Sequence, residues 1–154
     1  MENYLIPYLI AQLVGVAILI LAIKRPGWAR WFFAVLFFAA GVFNWYTSVT
    51  NPLSYLGFAD HAVPLYRTFI LGWFSRHVQL VIPLVATGQL LIATGLVAGG
   101  CWLAAACLGI ILFLMAIAPL GIGSAFPFSI LVSVAAYLVF RHWQLPLCFS
   151  RRTA

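Results

Sequence analysis

The stretch HVQLVIPLVATGQLLIATGLVAGGCWLAAACLGIILFLMAIAPLGIGSAFPFSILVSVAAYLVF, residues 77–140, decides the fold. It runs for 64 residues without a single Lys, Arg, Asp or Glu. About 20 apolar residues suffice to cross a bilayer as a helix, so this stretch holds several crossings. Its interruptions divide it. Gly99-Gly100 marks a tight turn, Gly121 to Pro127 marks a second connection, and Pro83 marks a kink inside an otherwise helical segment. Three spans result, at about 78–98, 102–119 and 128–143.

Two further apolar runs precede it. The first covers about residues 4–23 and stops at Lys24, Arg25, Pro26 and Gly27, a charged interface followed by helix breakers. The second covers about residues 28–48 and ends before Asn51-Pro52. The composition agrees: of 154 residues, 66% are hydrophobic and 6% charged, against about 25% charged in soluble domains. The expected fold is all-α: residues 1–154 form a single transmembrane domain, a polytopic bundle of five transmembrane helices with one short interfacial helix.

That interfacial helix belongs to the connection 49–77, which is too long for a turn. Pro64 suits a first helical position. Leu65, Phe69 and Trp73 follow at spacings of four, with Arg67 and Thr68 off their face. A helix lying on the outer leaflet is preferred to one that re-enters and continues into the third span, because Gly72, Ser75 and Arg76 weaken a continuous apolar helix.

The net charge of +6 reports orientation. Lys24, Arg25, Arg30, Arg141, Arg151 and Arg152 fall on one side of a five-span chain; Arg67 and Arg76 fall on the other and are balanced by Glu2 and Asp60. Positive residues favour the cytoplasm, so the N-terminus is placed outside and the C-terminus inside. The first apolar run, with Glu2 where a leader peptide carries basic residues, is taken as a retained helix. Basic residues split among short loops exclude a nucleic-acid reader and point instead to membrane lipids. Cys101 and Cys148 are expected near the inner surface as reduced thiols, and Cys107 as a packing residue. No Cys-x-x-Cys or zinc-spaced cluster occurs, so no metal site is expected.

Polar residues inside a bilayer need partners and so point to function. Asn44 lies in the outer half of the second span and Gln89 along the third, and with His61, Arg67, Arg76 and His77 most of the polar side chains gather toward the outer end, with Trp45 and Trp73 as aromatic platforms for a ring. They are the candidate ligand-binding residues of an outward-opening pocket. The alternative for Gln12, Asn44 and Gln89 is hydrogen bonding between helices. His61 and His77 are candidate axial haem ligands with Arg67 and Arg76 on the propionates, and Asp60-His61 a candidate acid–base pair; a salt bridge from Asp60 to Arg67 or Arg76 is the expected role of Asp60. The six Trp residues, Trp28, Trp31, Trp45, Trp73, Trp102 and Trp143, fall near span ends, as an interface belt does.

Residues 31–140 resemble the DoxX-like family of small bacterial membrane proteins. The resemblance lies in Gly41-Val-Phe-Asn44 at a helix end, Asn51-Pro52-x-x-Tyr55 after it, Gly88-Gln89 near the centre of a later span, and the Gly99-Gly100 turn. It implies a four-helix bundle in a bacterial inner membrane and, for some members, association with quinone-linked oxidoreductases. The chain departs from the family in its extra N-terminal span and in Gln89, where many members carry Glu. Asn44 and Gln89 are the positions that carry over. The leading functional expectation is an accessory or binding subunit that packs on a larger membrane complex, or on its own copies, or that holds a lipid or quinone. A quinone-linked oxidoreductase subunit is the alternative, and a small transporter the third. Quinone and haem are the cofactors considered; the residues alone fix neither, nor any catalytic group.

Overall fold

The computed structural model describes residues 2–124 and 126–143, and within them all regular secondary structure is helical. Six α-helices are described: α1 (Glu2–Lys24), α2 (Pro26–Thr50), α3 (Pro64–Phe69), α4 (Ser75–Ala98), α5 (Gly100–Ile117) and α6 (Phe128–His142). Short 3-10 segments at Pro52–Asp60 and Ala118–Ser124 complete the end that carries the long connection. Cys148, Arg151 and Arg152 lie outside the described residues.

The boundaries follow local chemistry. Pro26 opens α2, where a missing N–H costs nothing. Asn51 leaves the helical region at φ −149° because Pro52 disfavours it there. Gly99 ends α4 at φ +78° and Gly100 starts α5 at φ +55°, backbone conformations that glycine adopts without strain.

The connection 49–77 differs from the expected loop and separate interfacial helix. Pro64–Ala98 is one helical run of 35 residues. A π turn at Ile70–Phe74 joins α3 to α4 without leaving helical φ/ψ. Gly72 and Ser75 do not break it, because Ser75 Oγ bonds back to the carbonyls of Leu71 (3.1 Å) and Gly72 (2.8 Å). At 1.5 Å per residue the run is about 50 Å long, against about 30 Å of hydrocarbon. The helix that continues into the third span is therefore the one that forms. It also runs on through Pro83.

Three helical runs, Pro26–Thr50, Pro64–Ala98 and Gly100–Ile122, are long and apolar enough to cross a membrane, and Tyr8–Lys24 and Phe128–His142 are shorter apolar helices. The outward faces carry Leu13, Val35, Leu84, Leu91 and Leu112 in the open, each more than 60% exposed. Water would not tolerate so much apolar surface on a monomer, and lipid does. The chain is an integral membrane protein.

The helices α2, α4, α5 and α6 enclose the core, with α2 and α4 sharing the most extensive contact, and α1 packs against α6 and α2. Ile18, Phe33, Leu96, Ile110, Val132 and Val139 fill this core from five helices. Lipid gives little hydrophobic drive between helices, so close van der Waals contact must hold them. Gly41 provides it between α2 and α4: a Cβ there would stand 2.8 Å from Leu90 Cγ and 3.1 Å from the Ala86 carbonyl oxygen. Gly95 does the same between α4 and α5, where a Cβ would meet the Trp102 carbonyl oxygen at 2.9 Å.

A second cluster lies beside the long connection, built from Tyr55, Ala59, Ile70, Phe74, Val78 and Ile82. The candidate site sits against it.

Candidate functional site

The 3-10 segment Pro52–Asp60 folds back beside α4 and α2 and brings Tyr55 over the C-terminal half of α2. Tyr55 Oη donates to Asn44 Oδ1 at 2.7 Å. Asn44 Nδ2 in turn donates to Gln89 Oε1 at 2.8 Å. Three elements are thereby joined by one chain of polar groups, and Gln89 is only 3% exposed. Burial pushes the Tyr55 phenol above its ordinary value, an effect opposed in part by the Thr47 side chain. The phenol stays protonated and remains a donor at physiological pH.

Asn44 also forms part of the wall of a cavity of about 310 Å³. Its lining is mostly aromatic and aliphatic: Tyr55, Phe58, Tyr66, Phe69 and Phe74 on the connection and the run that follows it, with Val81, Ile82 and Val85 on α4 and Phe113, Ala116 and Ile117 on α5. Phe113 packs edge-on against Phe37 of the main core, with ring centroids 5.9 Å apart at 75°, so the wall is anchored to the bundle. Ser124 Oγ is turned to the Gly121 carbonyl at 3.0 Å. Asn44 has two N–H donors and one is committed to Gln89, which leaves one for a ligand acceptor. The cavity is thus apolar with a polar group at one wall, and its size falls at the low end of small-molecule sites, about 300–1,000 Å³.

Two contacts tie residues 61–63 to the 3-10 segment Ala118–Ser124. Val63 N–H donates to the Pro119 carbonyl at 3.0 Å. Gly121, at φ +62°, lies so close to His61 that a Cβ would stand 2.6 Å from the His61 carbonyl oxygen.

The eight residues expected to bind a ligand divide sharply. Asn44 lines the cavity and Gln89 supports it from behind. His61 is exposed in the turn after the 3-10 segment. Trp45, 42% exposed, faces outward from α2. Arg67 and Arg76 are exposed on the long helical run, and among the described residues neither forms the expected salt bridge with Asp60. Trp73 stacks between Phe69, at 5.7 Å, and His77, at 4.4 Å, on the outer side of that run. His77 Nδ1 lies 2.8 Å from the Trp73 carbonyl, so the ring is held along its own helix. Tyr55, Tyr66, Phe69, Ile70 and Phe74 form much of the cavity wall. Of these the helical spacing in the sequence singles out Phe69, as part of the face Leu65, Phe69 and Trp73.

At the opposite end, Arg30 closes the bundle. Its Nε donates to the Leu96 carbonyl at 2.5 Å and its Nη2 to the Val97 carbonyl at 2.9 Å. Its guanidinium also lies 5.1 Å from the Trp143 ring. Cys107 is free and buried. Cys101 is disulfide-bonded, where a reduced thiol was expected from the sequence.

Comparison of the chain with protein-family models, with curated proteins and with solved structures finds no match.

Proposed function

We propose that the protein is a membrane-embedded binding subunit that holds a carbonyl-bearing ring of the quinone class in the cavity beside Asn44. The observation that carries this is the pairing of an aromatic-lined cavity of about 310 Å³ with a fixed amide at its wall. Aromatic walls suit a flat ring. The uncommitted Asn44 N–H suits a carbonyl, and the bond to Gln89 fixes the direction in which it points. The resemblance to DoxX-like proteins fits this reading, since Asn44 and Gln89, its two carried-over positions, are bonded to each other.

In this reading α1, α2, the run Pro64–Ala98, α5 and α6 make five crossings, with the cavity at the outer end of a bacterial inner membrane. The subunit works beside a larger membrane complex that supplies or uses the bound ring.

The test uses the whole chain in lipid nanodiscs, titrated with 2,3-dimethoxy-5-methyl-1,4-benzoquinone and with its ten-carbon-tailed counterpart, read by calorimetry. Saturable binding of one ligand per chain is expected. Ile117→Trp, which fills the cavity from α5, should abolish it, and Asn44→Leu should weaken it about tenfold, equivalent to about 1.4 kcal/mol. Absence of saturable binding, or binding indifferent to both changes in variants that still melt cooperatively, defeats the proposal.

A further inference from the structure

The cavity lining is not uniformly buried. Tyr55, Ile70, Phe74 and Ile82 are buried, and most other lining residues are half-buried. Phe69 and Ala116 alone among them are exposed, Phe69 by 46%. The two belong to different helices, α3 and α5. Tyr66 lies at the same place: its Oη donates to the Ala116 carbonyl at 2.9 Å, and its ring stands 6.5 Å from that of Phe69. The exposed part of the lining therefore falls between α3 and α5, and the Tyr66 hydrogen bond spans from one to the other there.

The neighbouring π turn accounts for the geometry. One extra residue per turn widens the helix at Ile70–Phe74, and such turns are frequent at functional sites. Ile70 and Phe74 then face the cavity, while Phe69 begins a stacked row with Trp73 and His77 along the outward side of the run. The polar group sits elsewhere, on α2, at Asn44.

We infer that the ligand is a single-tailed amphiphile, with its ring held against Asn44 and its hydrocarbon tail leaving the protein between Tyr66, Phe69 and Ala116 into the bilayer. This rests on the ring-binding reading above and adds the tail and its route. A molecule wholly enclosed by the cavity would need no opening lined by apolar side chains. A tail passing through one needs apolar walls and small residues, and Ala116 leaves the space. Tyr66 acts as the latch: its hydrogen bond holds α3 to α5 when the passage is closed and breaks when a chain lies across it.

The experiment compares the ring alone with the ten-carbon-tailed ring in nanodiscs, for the native chain, Ala116→Trp and Tyr66→Phe. Ala116→Trp should weaken binding of the tailed ring at least tenfold more than it weakens binding of the ring alone. Tyr66→Phe should speed association of the tailed ring several-fold more than association of the ring alone. Equal loss of both ligands in Ala116→Trp would make Ala116 a wall and overturn the inference, as would no loss of either. Failure of the native chain to bind either ligand would instead remove the ring-binding reading itself, and the tail route with it.

Discussion

Arg30 in the second turn of α2 reaches the last turn of α4, donating from Nε to the Leu96 carbonyl and from Nη2 to the Val97 carbonyl. The final carbonyls of a helix have no partners within it and carry its negative dipole end. A guanidinium answers both needs, since its fork matches two adjacent acceptors. Gly99 makes room for this approach, because a Cβ there would stand 3.2 Å from Arg30 Nη2. Arg30→Lys keeps the charge and loses the fork; Arg30→Ala loses both. Arg30→Ala should lower stability by about 2 kcal/mol, the scale of hydrogen bonds to a charged group, and Arg30→Lys by less. Cys107 is fully buried, so a thiol-reactive dye in detergent reports unfolding as that side chain emerges. Unchanged melting in Arg30→Ala would show that water replaces the cap without loss.

Gly41 and Gly88 lie on the two helices that pack most closely and should respond oppositely to alanine. A Cβ at Gly41 meets Leu90 at 2.8 Å and backbone at 3.1 Å, whereas one at Gly88 meets nothing within 4 Å. Gly41→Ala should therefore cost about 1–3 kcal/mol as an overpacked contact. Gly88→Ala should be neutral or stabilising by up to about 1 kcal/mol, since glycine is a poor residue inside a helix. The same dye-based melting curves distinguish them. Equal responses would mean that α2 and α4 do not approach at Gly41.

Removal of one partner from the Asn44–Gln89 pair should cost more than removal of both. Asn44→Leu leaves the buried Gln89 amide without the donor that satisfies it, and an orphaned buried polar group costs about 1–3 kcal/mol. The double variant Asn44→Leu, Gln89→Leu removes the debt along with the bond. Its loss should fall well below the sum of the single losses, which a double-mutant cycle measures directly. Additive losses would show that the two side chains do not depend on one another. Tyr55→Phe should cost about 1 kcal/mol, the ordinary net value of one hydrogen bond.

Much of this architecture was legible in hydropathy and in helix breakers. The charge-free run 77–140, Pro26, Pro52 and Gly99-Gly100 place most helix ends within a few residues of those observed. The extent of the run from Pro64 was not, because Gly72, Ser75 and Arg76 look like a break. Back-bonding by Ser75 and a π turn carry the helix through them. Asn44 and Gln89 stood out as polar groups at membrane depth, and they form the polar wall of the site and its support. The aromatic wall did not stand out: in a chain with 16% aromatic residues, Tyr66, Phe69 and Phe74 look the same as an interface belt until the backbone turns them inward. His77 and Trp73 illustrate the converse, since they sit on the correct helix and face the other way. Arg30 looked like a topological charge and is a helix cap, a distinction that depends on α4 ending beside it.

Orientation is the remaining prediction, and two signals in the chain pull it apart. Charge places the Arg30 end in the cytoplasm, with Lys24, Arg25 and Arg141 beside it. A disulfide at Cys101, at the start of α5 on that same end, belongs instead with an oxidising compartment. Charge acts while the helices insert and governs the final arrangement, so the N-terminus is expected outside. Helix α2 has 25 residues and is about 38 Å long, longer than the hydrocarbon layer, so its two ends face opposite sides. Trp28, 71% exposed, lies at one end; Ser54, exposed, lies just beyond the other. In a chain with its three native cysteines replaced by alanine, a membrane-impermeant maleimide should label Ser54→Cys in intact cells. It should label Trp28→Cys only after the membrane is opened. The reverse pattern would place the Cys101 end outside and turn the cavity, with its Asn44 amide, toward the cytoplasm.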